Sequence, residues 1–143
     1  MSKVAVIYWS MTGNTQAMAE AVAQGVQEAG GEADLFSVDQ ITVEQAAEYS
    51  RLALGCPAMG AEVLEEAEFD PFFTALEGRL GGKRLALFGS YGWGDGQWMR
   101  DWVVRANAAG ANVYQDEGLI LQEAPDEDGL AQCRKFGAGF AAD

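Results

Sequence analysis

Val4-Ala5-Val6-Ile7-Tyr8-Trp9 is an almost unbroken apolar run, and Ser10-Met11-Thr12-Gly13-Asn14-Thr15 follows it directly. A run this short, bounded by polar turn residues, reads as a strand buried on both faces. Over residues 14–29 the period changes. Met18, Val22, Val26 and Ala29 recur at helical spacing, and Gly30-Gly31 ends the element. The same order of strand, polar loop and helix recurs along the chain. Further strands are expected at 33–38, 51–56 and 84–89. A short fifth strand, broken in the middle, is expected at 112–115 and 119–121. Helices are expected at 42–47 with Thr42 as cap, from Asp70-Pro71, at 97–109 before Gly110, and from Pro125 onward. Phe72, Phe73, Leu76 and Leu80 form one apolar stripe, and Leu130, Cys133, Phe136 and Phe140 another. Alternation of this kind predicts an α/β fold with a parallel sheet covered by helices on both faces. No linker or repeat interrupts it, so residues 1–143 are expected to form a single domain.

Composition narrows the function. The chain carries 9 basic and 22 acidic residues, a formal charge of −13. That disfavours nucleic acid and anionic membrane surfaces, and favours partners with basic faces. Histidine is absent, which removes the commonest general base and metal ligand. Cys56 and Cys133 stand far apart and form no CxxC, so a reducing, cytoplasmic setting is expected. The first apolar run is too short for a signal-peptide core, and no stretch approaches a membrane span. No metal site and no catalytic residue is expected.

Ligands of parallel sheets bind at the carboxyl ends of the strands. The loop after the first strand holds hydroxyls from Ser10, Thr12 and Thr15, an amide from Asn14, a flexible Gly13 and no charge. A helix follows it, and helix N-termini offer free N–H groups to anions. This is a phosphate cradle of neutral donors, or else an ordinary polar cap. It is neither a Walker loop, for want of GxxxxGK[ST], nor the three-glycine dinucleotide fingerprint. The third strand ends in Cys56-Pro57-Ala58-Met59-Gly60-Ala61-Glu62 and the fourth in Gly89-Ser90-Tyr91-Gly92-Trp93-Gly94-Asp95-Gly96. Trp93 between two glycines suggests a stacking platform for a flat ligand, with Met59 on the opposite face. The plain alternative packs both on neighbouring loops. Trp98 and Trp102, four apart, read as core, and Trp9 as structural or a wall of the pocket.

These three loops together resemble those of short-chain, clostridial-type flavodoxins. Ser10-Met11-Thr12-Gly13-Asn14-Thr15 matches the T/S-x-T-G-N-T phosphate loop, and the other two resemble the flavin loops. The similarity spans essentially the whole chain, without the fifth-strand insertion of long-chain members. It implies a flavodoxin-like three-layer sandwich with strand order 2-1-3-4-5. It also implies a monomeric, low-potential one-electron carrier that binds FMN noncovalently and shuttles between semiquinone and hydroquinone. The partners would be basic-faced redox proteins such as reductases, oxidoreductases and cytochromes. By the same resemblance, residues 10–15 with their N–H groups hold the phosphate. Pro57, Ala58, Met59, Gly60, Ala61 and Glu62 form the second loop, with Gly60 turning its carbonyl to flavin N5 and Glu62 near N3. Ser90, Tyr91, Gly92, Trp93, Gly94, Asp95 and Gly96 form the third. Ala61 departs from the family, where Asp is common.

Three rivals were open to the same fold. An FMN-dependent reductase needs a substrate pocket and usually a hydride source, and the chain is short for a nicotinamide domain. A receiver domain needs acids where Tyr8-Trp9-Ser10 and Cys56-Pro57 stand. A CxxxxxR thiol phosphatase needs Arg where Glu62 stands.

Overall fold

The computed structural model describes residues 3–143. Strand β1 (Lys3–Tyr8) leads into helix α1 (Asn14–Glu28), β2 (Glu32–Ser37), α2 (Val43–Ala47) and β3 (Arg51–Gly55). Then come α3 (Phe69–Glu77), β4 (Arg84–Tyr91), α4 (Gln97–Ala108), β5 (Asn112–Val113), β6 (Leu119–Gln122) and α5 (Glu127–Ala142). The strands pair in the order β2-β1-β3-β4-β5, all parallel, and β6 also pairs with β4. The expected fifth strand is thus two short pieces along one edge, Leu85 opposite Val113 and Phe88 opposite Leu119. Between them Gln115 and Asp116 adopt φ of 61° and 55°, left-handed values that no extended strand accommodates.

Side chains alternate across the sheet and build two cores. Ala5, Ile7, Leu52, Leu54, Leu85 and Leu87 pack on α2, α3 and α4. Trp102 stands edge-on between Phe69 and Phe73, with ring centroids 5.4 and 5.8 Å away. On the other face Val4, Val6, Ala53, Ala86 and Phe88 meet α1 and α5. Those two helices touch backbone to backbone. A Cβ on Gly25 would lie 1.9 Å from the Arg134 carbonyl oxygen, and one on Gly137 would lie 2.1 Å from that of Val22. Trp98, Trp102, Cys56 and Cys133 are all buried, as read from the sequence.

One expected helix start shifts. Asp70-Pro71 does not open α3, which begins at Phe69. The Glu65 carboxylate lies upstream and accepts the N–H groups of Ala67, Glu68 and Phe69, each at 2.8 Å. Asp70 instead accepts from Arg105 at 2.9 Å and from Thr74 at 3.0 Å. The Arg105 hydrogen bond holds the Asp70 carboxyl below its usual range, against the opposing effect of burial.

Candidate functional site

The first turn of α1 differs from that of every other α-helix among the described residues. Thr42 caps α2, accepting the Gln45 N–H at 3.1 Å. Asp126 caps α5, accepting that of Gly129 at 2.7 Å. Glu65 serves α3, and Glu62 reaches from another loop to accept the Gln97 N–H of α4 at 3.1 Å. No side chain caps α1. Its N-cap is Gly13 at φ 94°, a conformation that L side chains rarely adopt. The Gly13 N–H donates back to Ser10 Oγ at 3.1 Å, which curls the loop over the helix end. The orphan donors of that turn and the positive end of the helix dipole are therefore open to an anion.

Thr15 behaves differently from its neighbours. Its hydroxyl is buried and hydrogen-bonds the Ser90 hydroxyl at 3.0 Å, tying α1 to β4. Ser90 and Tyr91 belong to β4 itself and not to the loop expected after it, because β6 extends the pairing to Tyr91 opposite Gln122. The Ala58 N–H donates to the Ser90 carbonyl at 3.0 Å. Residues from all three loops therefore meet around Ser90.

The second loop folds back on itself. Met59 and Val63 exchange both N–H···O bonds, at 2.8 and 3.0 Å, and hold Gly60-Ala61-Glu62 as a tight tip. Gly60 has φ 50° and open space where a Cβ would stand. Glu62, at φ 57°, lays its carboxylate against the backbone of the third loop. A Cβ on Gly94 would sit 2.5 Å from its Cδ. In that third loop Trp93 leaves 64% of its surface exposed, while Asp95 pairs with Arg100 at 3.0 Å. Met11 is equally bare, at 65%. An indole left exposed between glycines is a ledge, not a core residue. Trp9, by contrast, donates its indole N–H to Glu68 at 3.1 Å.

A hollow of 180 Å³ joins the loops. It is lined by Ser10, Met11, Thr12, Asn14 and Thr15, by Pro57, Ala58 and Met59, and by Ser90, Tyr91 and Gly92. Of the other expected residues, Gly13 shapes the cradle from behind. Gly60, Ala61, Glu62, Trp93, Gly94, Asp95 and Gly96 lie outside the hollow, on the two loop tips. Glu123 also lines it and was not foreseen. Its φ is 57°, and its N–H donates to the Tyr91 carbonyl at 2.7 Å. Nothing local in the sequence announces that turn. No Lys or Arg lines the hollow, so its attraction for an anion rests on N–H and hydroxyl dipoles. A larger hollow of 530 Å³ lies between α4 and the Asp116–Ile120 edge. It shares only Gly96 with the three loops. No cluster of potential metal ligands exists among the described residues. Burial pushes the thiols of Cys56 and Cys133 upward, the latter to about 12, which disfavours the thiolate at both.

The sequence model of the family described as flavodoxin matches residues 6–137. The chain belongs to the flavodoxin family. It is 46% identical over 136 residues to a flavodoxin of Clostridium beijerinckii, covering 95% of this chain and 97% of the relative. It is 41% identical over 138 residues to that of Megasphaera elsdenii, covering 96% and 98%. The solution structure of two-electron reduced Megasphaera elsdenii flavodoxin superposes with a TM-score of 0.89 over 98% of this chain and 99% of that one. As a flavodoxin of the short-chain, clostridial type, the chain is an FMN-binding electron carrier and not an enzyme with a substrate of its own. It works by exchanging electrons with redox partner proteins. No helix among the described residues is long and apolar enough to cross a membrane.

Proposed function

We propose that residues 1–143 act as one cytoplasmic, monomeric, low-potential carrier domain that holds FMN in the three loops described above. The uncapped first turn of α1 carries this assignment. An open helix N-terminus beside hydroxyls and without a cation suits a phosphate, whose negative charge the dipole and N–H groups stabilise. Ser10, Thr12 and Asn14 donate from their side chains, and Thr15 from its backbone, since its hydroxyl is engaged with Ser90. The donors present therefore fit the phosphate of FMN. The exposed Trp93 and the partly buried Met59, which also lines the hollow, would suit the two faces of its ring.

FMN, when bound, supplies a ring that accepts two electrons one at a time. The rest is done by the chain. Gly60 sits at a turn tip where a Cβ would meet nothing within 4 Å, so its peptide could turn its carbonyl toward N5 of bound FMN at small cost. Trp93 and Met59 would exclude water from the two faces of its ring. Glu123 lines the hollow and Glu62 stands on the second loop tip, both acidic, while Asp95 is paired with Arg100; no cation lines the hollow. One fixed charge at ~8 Å, with an effective dielectric of ~20, disfavours a further negative charge by about 2 kcal/mol. That keeps the carrier strongly reducing. The same acidic rim orients basic-faced redox partners, with rates that fall as salt is added.

Titration of the apoprotein with FMN, riboflavin and FAD tests the assignment. FMN is expected to bind much more tightly than riboflavin, by the value of the phosphate cradle. Equal affinity for FMN and riboflavin would remove the role of the α1 N-terminus, and a colourless preparation that takes up no flavin would end the reading.

A further inference from the structure

The second loop leaves β3 at Cys56 and runs to Glu65, four residues before α3, and both residues are buried. The Cys56 thiol accepts the Glu65 N–H at 3.4 Å and lies 3.6 Å from the Pro57 carbonyl, to which it donates. One sulfur therefore binds both ends of the intervening segment. Glu65 then fixes the far end. Besides its N–H, its carbonyl accepts the Asp70 N–H at 2.8 Å, and its carboxylate takes three more N–H groups from the start of α3. Every polar group of a buried residue is engaged, in a place where a lost partner leaves an unpaired buried group. Above this base comes the Met59–Val63 pair, and above that only the tip Gly60-Ala61-Glu62. Buried order decreases toward the tip, where a Cβ on Gly60 would meet nothing within 4 Å.

We propose that Cys56 and Glu65 form a positioning clamp, not in contact with the cofactor, which holds the base of the second loop rigid so that only its tip moves when the flavin changes state. This rests on the FMN reading above. The clamp restricts the loop before the ligand arrives, so less freedom is lost on binding. It also confines the movement to the Gly60 peptide, so that peptide's contribution to the flavin's preference between states is set there. Both thiol and carboxylate are needed, since the thiol joins the two ends and the carboxylate joins that junction to α3.

The test uses apoprotein and reconstituted protein of Glu65→Gln, Cys56→Ser and Cys56→Ala. Replacing the carboxylate by an amide removes its charge and turns an NH₂ toward backbone N–H donors. We expect Glu65→Gln and Cys56→Ala to weaken FMN and riboflavin by the same factor, about tenfold, because the phosphate cradle is untouched. We expect the separation of the two one-electron potentials to narrow in both. Cys56→Ser, which keeps a donor and an acceptor, should restore most of the affinity and of the separation. Variants that fold and keep wild-type affinity and potentials would overturn the clamp and leave Glu65 a helix cap alone. Should Glu65→Gln fail to fold, the contrast between Cys56→Ala and Cys56→Ser decides. A wild-type apoprotein that binds no flavin would instead defeat the FMN reading, so the two failures are distinct.

Discussion

The two ends of the sheet are finished in opposite ways. At the amino ends of the strands the cations gather, and each is held. Lys83 donates to the carbonyls of Ala47 and Tyr49 at 2.7 and 2.8 Å. Arg84 pairs with Asp143 at 2.8 Å, Arg51 donates to the Asp143 backbone, and Lys3 lies 3.7 Å from Asp34. At the carboxyl ends α1 is left uncapped, Trp93 and Met11 face solvent, and three loops converge without a cation in the hollow between them. One end closes on itself and the other awaits a ligand. The separation of charge follows from the same arrangement. Four of the nine cations stand at the far end, and Arg100, at the ligand end, is paired with Asp95, so the acidic rim proposed above rests on Glu62 and Glu123.

The sharpest way to break this contrast is to disturb the junction beneath the open end. A Cβ on Gly89 would lie 2.2 Å from the Cys56 carbonyl oxygen and 3.2 Å from the Trp98 ring, both fixed by the core. Gly89→Ala is expected to lower stability by about 3 kcal/mol, since β3 and β4 must part to admit it. Urea unfolding of the apoprotein measures this, and an unchanged midpoint would mean that the strands have slack there.

Trp93→Ala should act the other way round. The side chain is 64% exposed, so its loss is expected to change apoprotein stability by no more than about 0.5 kcal/mol. Stacking on an aromatic platform contributes about 1–3 kcal/mol, so FMN affinity should fall about tenfold to a hundredfold. A fall in thermal midpoint with flavin affinity intact would make Trp93 structural and erase the distinction between ledge and core.

How much of this was legible beforehand depends on distance along the chain. Apolar runs and glycine stops located β1 to β4 and the helices within about two residues, because those signals are local, except at the end of α3, where Leu80, read as part of its stripe, lies beyond Glu77. The loop residues that gather around the hollow were legible too, since strand ends bring such loops together in any sheet of this kind. The connections between them were not. Thr15 meets Ser90 across 75 positions, and Glu62 caps α4 from 35 positions away. Glu65 lies four residues before α3, outside the local cap pattern that pointed to Asp70-Pro71. The breaks at Gln115, Asp116 and Glu123 rest on positive φ at residues whose types do not demand it.

Acid provides a smaller effect, centred on Glu65. Burial works to raise its carboxyl, but the N–H groups of Phe69, Glu68 and Ala67 outweigh it and hold it below the ordinary 4.5. A depressed folded value means that the contribution is complete above about 4.5 and is lost as pH falls through the lower folded value. Wild type should therefore lose stability more steeply than Glu65→Gln in the acid range. Thermal midpoints of the two apoproteins across that range check it, and parallel curves would show that the three N–H bonds do not favour the ionised form.

The weakest expected effect is at the closed end, where Arg84→Ala removes the pair with Asp143. Both side chains are nearly half exposed, at 46% and 48%, so the attraction is screened and its loss should lower stability by less than about 1 kcal/mol. Flavin affinity should not move at all, because the change lies at the opposite end of β4 from Ser90 and Tyr91. Partner reactions carry the informative signal. Removing one cation from the far pole raises the net negative charge while it weakens the separation between the poles. If orientation by the dipole governs encounter, the rate with a basic-faced acceptor should fall slightly at low salt; if net charge governs it, the rate should rise. A stopped-flow comparison with wild type at low and high ionic strength separates the two. A difference that survives high salt would assign the change to local structure and not to the field of the molecule.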